Sequence, residues 1–373
     1  KGFGLIVTGT IFSGTVKKGD TLTLSPKGIK VRVRGIHAQN RVSEIGYAGQ
    51  RCALNLAGSF NDNSIFERGS WVVSREAHFV SNCFDAHFSV SSNEKKPLKH
   101  FTRAIFHFGS SKIVCRVVIL KDKEISPGDS GFIQLKLESV TSPFYGDRFI
   151  IRDETGRRTI GGGKIIDPHS IKKDRNKPER IEKLLKLTQL NTEKALFFLI
   201  TEKMFGIDLV KYSLSRNLIK LEAEKLYRTL PIKSFRNKDK QWGILKSNFN
   251  VCKNIVYEEI RKFFIENTNI NILNEDKIIN KFSSNAPEYV IKEIVDELLN
   301  EQKLYRIGKN LSIIRGVSNF DASEIIIWKK IKSIFDKNKF QPPSINKVSE
   351  ELGFKLSKLE PTLRKALKLG YLI

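Results

Sequence analysis

Lys358, Arg364, Lys365 and Lys368 fall on one face of a helix predicted to start at Ser357. A row of cations on an exposed helix face is suited to phosphate oxygens, the other reading being a solvated lysine face. No catalytic constellation accompanies them. The six histidines (His37, His78, His87, His100, His107 and His169) are scattered, with no HExxH pair and no nucleophile elbow. His37 and His107 stand at predicted strand ends, where a structural and a ligand-contacting histidine are both open readings. Arg51 opens a predicted strand, a place for a structural salt bridge. Gly161-Gly162-Gly163-Lys164 lacks the leading glycine and the Ser/Thr of GxxxxGK[ST]. Those glycines therefore predict a close backbone approach or a bulge that closes a barrel, rather than a phosphate cradle. Cys52, Cys83, Cys115 and Cys252 stand singly, as expected for reduced thiols and not for zinc ligands or disulfides.

Composition narrows the class. A formal charge of +25, from 65 Lys and Arg against 40 Asp and Glu, points to a polyanion partner such as RNA. Lys, Asn and Ile are all abundant, so drift in an AT-rich genome is the competing source of that charge. The chain is 40% hydrophobic with a mean hydropathy of −0.28. It has no run of 18 apolar residues and no signal-peptide pattern, so no membrane partner and a cytoplasmic location are expected. Lys1 falls inside a predicted strand and Met204 is the sole methionine, as expected of a piece of a longer product.

Two kinds of element must position these residues. Up to residue 170, short alternating runs such as Lys30–Ile36, Arg51–Leu56, Ala104–Phe108, Ile113–Leu120 and Gly131–Leu137 are separated by turn signals. That spacing predicts two all-β barrels, 1–75 and 76–170, with the break near Ser74–Ser81. Beyond a basic linker, Ile181, Leu184, Leu185 and Leu187 begin a helical pattern. A repeat of roughly 70 residues then pairs an amphipathic helix with a β-hairpin. The clearest copy runs from Val290, Ile291, Ile294, Val295, Leu298 and Leu299 into Lys303–Ile307, Gly308–Asn310 and Leu311–Arg315. The mainly α second half is thus expected to hold winged-helix units at 176–248, 251–318 and, incomplete, 320–373. In the last, Ser344 is expected to cap a helix Ile345–Leu352 ending at Gly353. Ser357 is expected to cap the next, with Pro361 in its first turn.

Particular segments say more. Gly2–Thr10, with Ser13-Gly14 and Val16–Asp20, resembles the start of domain II in translational GTPases. Val31–Asn40, Ala48–Gly58, Gly146–Asp153 and Thr159–Pro168 are similar to domains II and III of selenocysteine-specific elongation factors. Winged helices directly after domain III fit the same family. The resemblance implies Tu-like barrels that hold selenocysteinyl-tRNA, and an arm reaching towards an mRNA hairpin, for UGA recoding on the ribosome. In that family a domain II arginine contributes to a basic pocket for the selenocysteinyl group, and Arg51 stands at the matching position. A selenol is mostly ionised at neutral pH, so a fixed guanidinium would separate selenolate from a serine hydroxyl. Arg34 and His37 lie in a matching motif as candidate neighbours of the tRNA end. GTP and Mg2+ belong to a GTPase domain outside these residues, as does the family's terminal hairpin reader. The chain itself is expected to need no cofactor or metal and to bind without catalysing. The competing readings are an initiation-factor-like tRNA binder and a winged-helix DNA-binding regulator.

Overall fold

A computed structural model describes residues 5–58, 66–170, 177–267, 270–314, 322–337 and 343–368, the side chains of 322, 323, 325, 337 and 368 excepted. The chain falls into two compact units, 1–198 with 210–229, and 199–209 with 230–373.

The first unit opens with strands β1 (Leu5–Thr10), β2 (Thr15–Lys17), β3 (Thr21–Ser25), β4 (Ile29–Ala38), β5 (Arg41–Ser43), β6 (Ile45–Tyr47), β7 (Arg51–Ala57) and β8 (Trp71–Val73). They build a sheet of order β1-β7-β4-β3-β8, with β5 beside β4 and β2 paired to β6. The alternation in β4 slips by one. Val31 and Val33 face the core, then Ile36 and Ala38 do. The cause is a β-bulge: pairing with β7 jumps from Val33 opposite Leu56 to Gly35 opposite Asn55, leaving Arg34 as the extra residue. The slip is already visible in the spacing of the apolar residues.

Strands β9 (Ser81–Val90), β10 (Leu98–Lys99), β11 (Thr102–Phe108), β12 (Ser111–Ile119), β13 (Glu124–Ile125), β14 (Ser130–Thr141), β15 (Arg148–Arg152) and β16 (Thr159–Asp167) follow. Six of them close into a barrel in the order β11-β12-β14-β9-β16-β15. Its interior is filled by Phe84, Phe88, Phe106, Phe108 and Phe149 with aliphatic neighbours. Burying each such side chain contributes about 1.5–3 kcal/mol. The glycine run lies in β16, between β9 and β15. A Cβ on Gly161 would lie 2.1 Å from the Ser89 carbonyl oxygen, and one on Gly163 2.5 Å from that of His87. The neighbouring strands β16 and β9 approach there more closely than a side chain at either glycine permits.

The two barrels are tied together. Trp71 of β8 lies 5.5 Å from the Phe108 ring and 5.2 Å from Phe12. The buried Ser25 hydroxyl bonds Ser142, and His78 Nδ1 sits 2.9 Å from Ser25 Oγ. Helices α1 (Pro178–Gln189), α2 (Thr192–Thr201), α3 (Leu209–Ser215) and α4 (Lys220–Thr229) come next. Helix α1 buries Leu184 and Leu187, whereas Leu185 of the expected stripe is half exposed.

The second unit holds β17 (Ile207–Asp208), β18 (Ile232–Asn237), β19 (Lys240–Leu245), α5 (Lys246–Glu266), β20 (Leu273–Asn274), α6 (Glu275–Phe282), α7 (Glu288–Asn300), β21 (Tyr305–Ile307), β22 (Asn310–Ser312), α8 (Ala322–Lys337), α9 (Ile345–Leu352) and α10 (Leu356–Lys368). Two three-stranded sheets form, β17-β19-β18 and β20-β22-β21. One core runs through both hairpins, joining Phe235, Ile244 and Phe249 to Ile294, Leu298 and Leu311. A separate core of Ile327, Ile331, Val348, Leu359 and Leu363 holds α8 to α10. The residues expected to form one unit at 176–248 are divided: α1, α4 and most of α2 and α3 belong to the first compact unit, and β18 and β19 to the second. The third expected strand, Gly370–Ile373, lies outside the described residues.

Two capping expectations are corrected. Helix α10 begins at Leu356, so Ser357 lies within it and Pro361 sits in its second turn, removing the donor that the Ser357 carbonyl would otherwise take. Ser344 precedes α9, but its side chain makes no capping bond, and its carbonyl accepts from the Val348 amide at 3.1 Å. Gly353 ends α9 in the left-handed region at φ 66°, the turn the sequence predicts.

Candidate RNA-facing surfaces

Register places Arg51 and His37 on one outer face of the first barrel. Arg51 pairs with Thr10 of β1, and two residues on, Ala53 lies opposite both Thr8 and His37. Arg51 and His37 are thus diagonal neighbours, about 7–8 Å apart at the backbone, within reach of long side chains. Both are exposed, as is Arg34 at the bulge one row away. The small Ala53 and Thr8 leave a shallow floor between them. Asn55, in the row of Gly35 and Ile6, has a buried Oδ1 with no hydrogen-bond partner among the described residues. The sequence pattern did not single it out. Its signal was a lone amide between Leu54 and Leu56 in a strand. This face offers a guanidinium, an imidazole and an unused acceptor over small residues, a suitable seat for a small anionic group carrying a nearby N–H or O–H donor.

A second basic surface was also missed. On the outer wall of the closed barrel, Arg103, Arg116 and Lys136 stand directly opposite one another across β11, β12 and β14. Arg148, Lys164 and His87 form a second such row across β15, β16 and β9. Like charges facing one another across strands destabilise a sheet. Arg103 is offset by Glu138 and Glu154, but Arg116 and Arg148 have no acidic partner among the described residues. His107 lies opposite Lys112 and Ile150. Burial, then Arg152 and Lys112, push its pKa below the ordinary histidine value, disfavouring the charged ring. Its Nε2 is buried and without a partner among the described residues.

The helical candidates fare differently from one another. On α10, Arg364 pairs with Glu360 at 2.7 Å but stays largely exposed, a pairing worth little in water. Lys365 reaches Glu324 at 2.6 Å and ties α10 to α8. Lys358 is exposed, and the side chain of Lys368 lies outside the described residues. The four therefore do not act as one free cationic row. Helix α7 is acidic and already engaged: Glu297 accepts from Lys233 and Lys253, and Asp296 from Arg306 at 2.8 Å. By contrast the β18–β19 turn exposes Arg236, Lys238 and Lys240 at its tip. Among the described residues no cluster of three or more His, Cys, Asp or Glu could hold a metal, and no helix is long and apolar enough to cross a membrane.

Comparison with known proteins bears on both barrels. Residues 4–73 match the family model of elongation factor Tu domain 2, and residues 85–172 that of the selenocysteine-specific elongation factor β-barrel domain. The paired barrels are those of a translation elongation factor. A selenocysteine-specific elongation factor of Haemophilus influenzae is 27% identical over 387 residues, covering 100% of this chain and 58% of the relative. Counterparts from Desulfomicrobium baculatum and Escherichia coli are 33% and 32% identical, covering 45% and 52% of this chain and 26% and 29% of their own lengths. The barrel at residues 85–172 is of the selenocysteine-specific elongation factor type, and the chain is similar along its whole length to a factor of that kind. The chain spans less than two thirds of the length of each of these relatives.

Proposed function

We propose that the chain holds selenocysteinyl-tRNA on its two barrels and extends winged-helix units, with the β18–β19 tip and α10 as RNA contacts, towards an mRNA hairpin on the ribosome. The observation that carries the reading is the juxtaposition of Arg51, His37 and the unused acceptor of Asn55 on one outer face of an elongation-factor domain 2 barrel. Arg51 would hold the selenolate, Asn55 would accept from a donor at the same tRNA end, and Arg34 would stand by as a neighbour. The like-charge rows of the second barrel would lie along the tRNA backbone. GTP and Mg2+ would act through another part of the whole protein, in the cytoplasm.

A charge-assisted hydrogen bond is worth about 1.5–3 kcal/mol, or roughly 10–100-fold in affinity. With this chain fused behind a GTP-binding domain of a selenocysteine-specific elongation factor, Arg51→Ala is expected to weaken selenocysteinyl-tRNA by that factor while leaving seryl-tRNA nearly unchanged, as read by dissociation rates. Equal losses for both tRNAs, or none, would sink the pocket.

A further inference from the structure

Asp85 of β9 is one of the few carboxylates inside the barrel wall, with its side chain 2% exposed. Arg180, in the first turn of α1, reaches in to meet it. The guanidinium Nε donates to Asp85 Oδ2 at 3.0 Å, and Nη2 to Oδ1 at 2.9 Å and Oδ2 at 2.6 Å. Gln134 of β14 donates to the same carboxylate at 3.2 Å and to Ser170 at 3.1 Å, so the pair is enclosed by the barrel's own polar groups. Further contacts fix the helices that follow. The Tyr145 hydroxyl donates to the Leu187 carbonyl at the end of α1, and its amide to the Ser215 carbonyl at the end of α3. Arg216 lies 3.8 Å over the Tyr145 ring and 5.3 Å from that of Tyr212, whose hydroxyl bonds the Thr192 carbonyl of α2. Asn217 donates to Ser13 of the first barrel at 3.3 Å.

A buried ion pair is a poor device for raw stability, because desolvating both charges offsets most of their attraction. What it does well is select one geometry, since a buried charge has no second place to go. We propose that Arg180 is a positioning residue: locked on Asp85, it sets the direction in which α1, and with it α3 and α4, leave the closed barrel, so that barrels and first helices move as one body. The inference is independent of which RNA the chain carries.

The test is made on the full chain. Single cysteines replacing Lys112 on β12 and Lys225 on α4 carry spin labels, the native cysteines being buried. Wild-type chain is expected to give one narrow distance distribution. Arg180→Met and Asp85→Asn should broaden it. Arg180→Lys, which keeps the charge and one donor and guards against loss of folding, should give an intermediate width. In parallel, amide hydrogen exchange along α1 should speed by at least about 100-fold in Arg180→Met, the lower end of the range expected when one partner of a buried pair is removed. Faster exchange with an unchanged distance distribution would reduce the pair to a stability role and overturn the proposal, as would no change in either readout.

Discussion

Alanine at Gly161 is expected to destabilise the closed barrel strongly by forcing β16 away from β9. The new Cβ would sit 2.1 Å from the Ser89 carbonyl oxygen and 2.7 Å from the Phe88 ring. The carbonyl belongs to the backbone of β9, the strand that β16 must pair with for the barrel to close. Rotamer change cannot relieve that contact, so the strands must separate and give up ladder bonds. Over-packing of this kind costs about 3 kcal/mol at the upper end of its usual range, and more where backbone must move. For a domain near 100 residues that corresponds to a fall of roughly 10–25 °C in Tm. Gly162→Ala is the matched control, because its nearest neighbour would be a carbonyl at 3.2 Å and the strand can give by a few tenths of an ångström. Thermal melts followed by circular dichroism should show a large loss for Gly161→Ala and a small one for Gly162→Ala. Equal, small losses would show that the glycines are not there for close approach.

Removing Arg116 and Arg148 together is expected to move stability and RNA binding in opposite directions. Each faces another cation across a strand, and neither has an acidic partner among the described residues. Relieving such a pair should stabilise the barrel by a few tenths of a kcal/mol, the sign that follows from repulsion between like charges on one face. If the rows lie along a polyanion, the same change removes two phosphate contacts. The log–log dependence of tRNA binding on salt should then become shallower by roughly 1.5–2, with affinity at low salt falling about 10–100-fold. Anisotropy titrations of Arg116→Gln/Arg148→Gln with labelled tRNA at several KCl concentrations read both quantities. An unchanged slope would detach these rows from RNA, whatever happened to the melting temperature.

What could be read from the residues was whatever depends on near neighbours. The alternation of Val31, Val33, Ile36 and Ala38 carried both a strand and its bulge, because side chains two apart must share a face unless a residue is inserted. The close approach at Gly161 and Gly163 was legible because no other residue type tolerates it. The α7 stripe was legible through its helical period, and its five leading residues are all buried. Where the reading failed, the missing information lay far along the chain. Lys365 looked like a free cation on a helix face; its partner, Glu324, is 41 residues away. Arg180 read as part of a basic linker, yet it is committed to Asp85, 95 residues back. The like-charge rows exist only once register is known, since no local pattern brings Arg116 beside Lys136 or Arg148 beside Lys164. Ser357 failed as a cap because packing of Leu359 and Leu363 extends α10 past it, towards its N-terminal end, despite Pro361.

The three tryptophans fall in three separate packing environments: Trp71 between Phe12 and Phe108, Trp242 against the core of the β17–β19 sheet, and Trp328 against the α8–α10 core. Trp242 additionally donates its indole N–H to the Phe205 carbonyl, which Trp71 has no counterpart for among the described hydrogen bonds. Each region thus carries its own fluorophore. Single-tryptophan versions of the chain would report by emission wavelength whether barrel seam, hairpin sheet and terminal helices melt together or one after another, without any added dye.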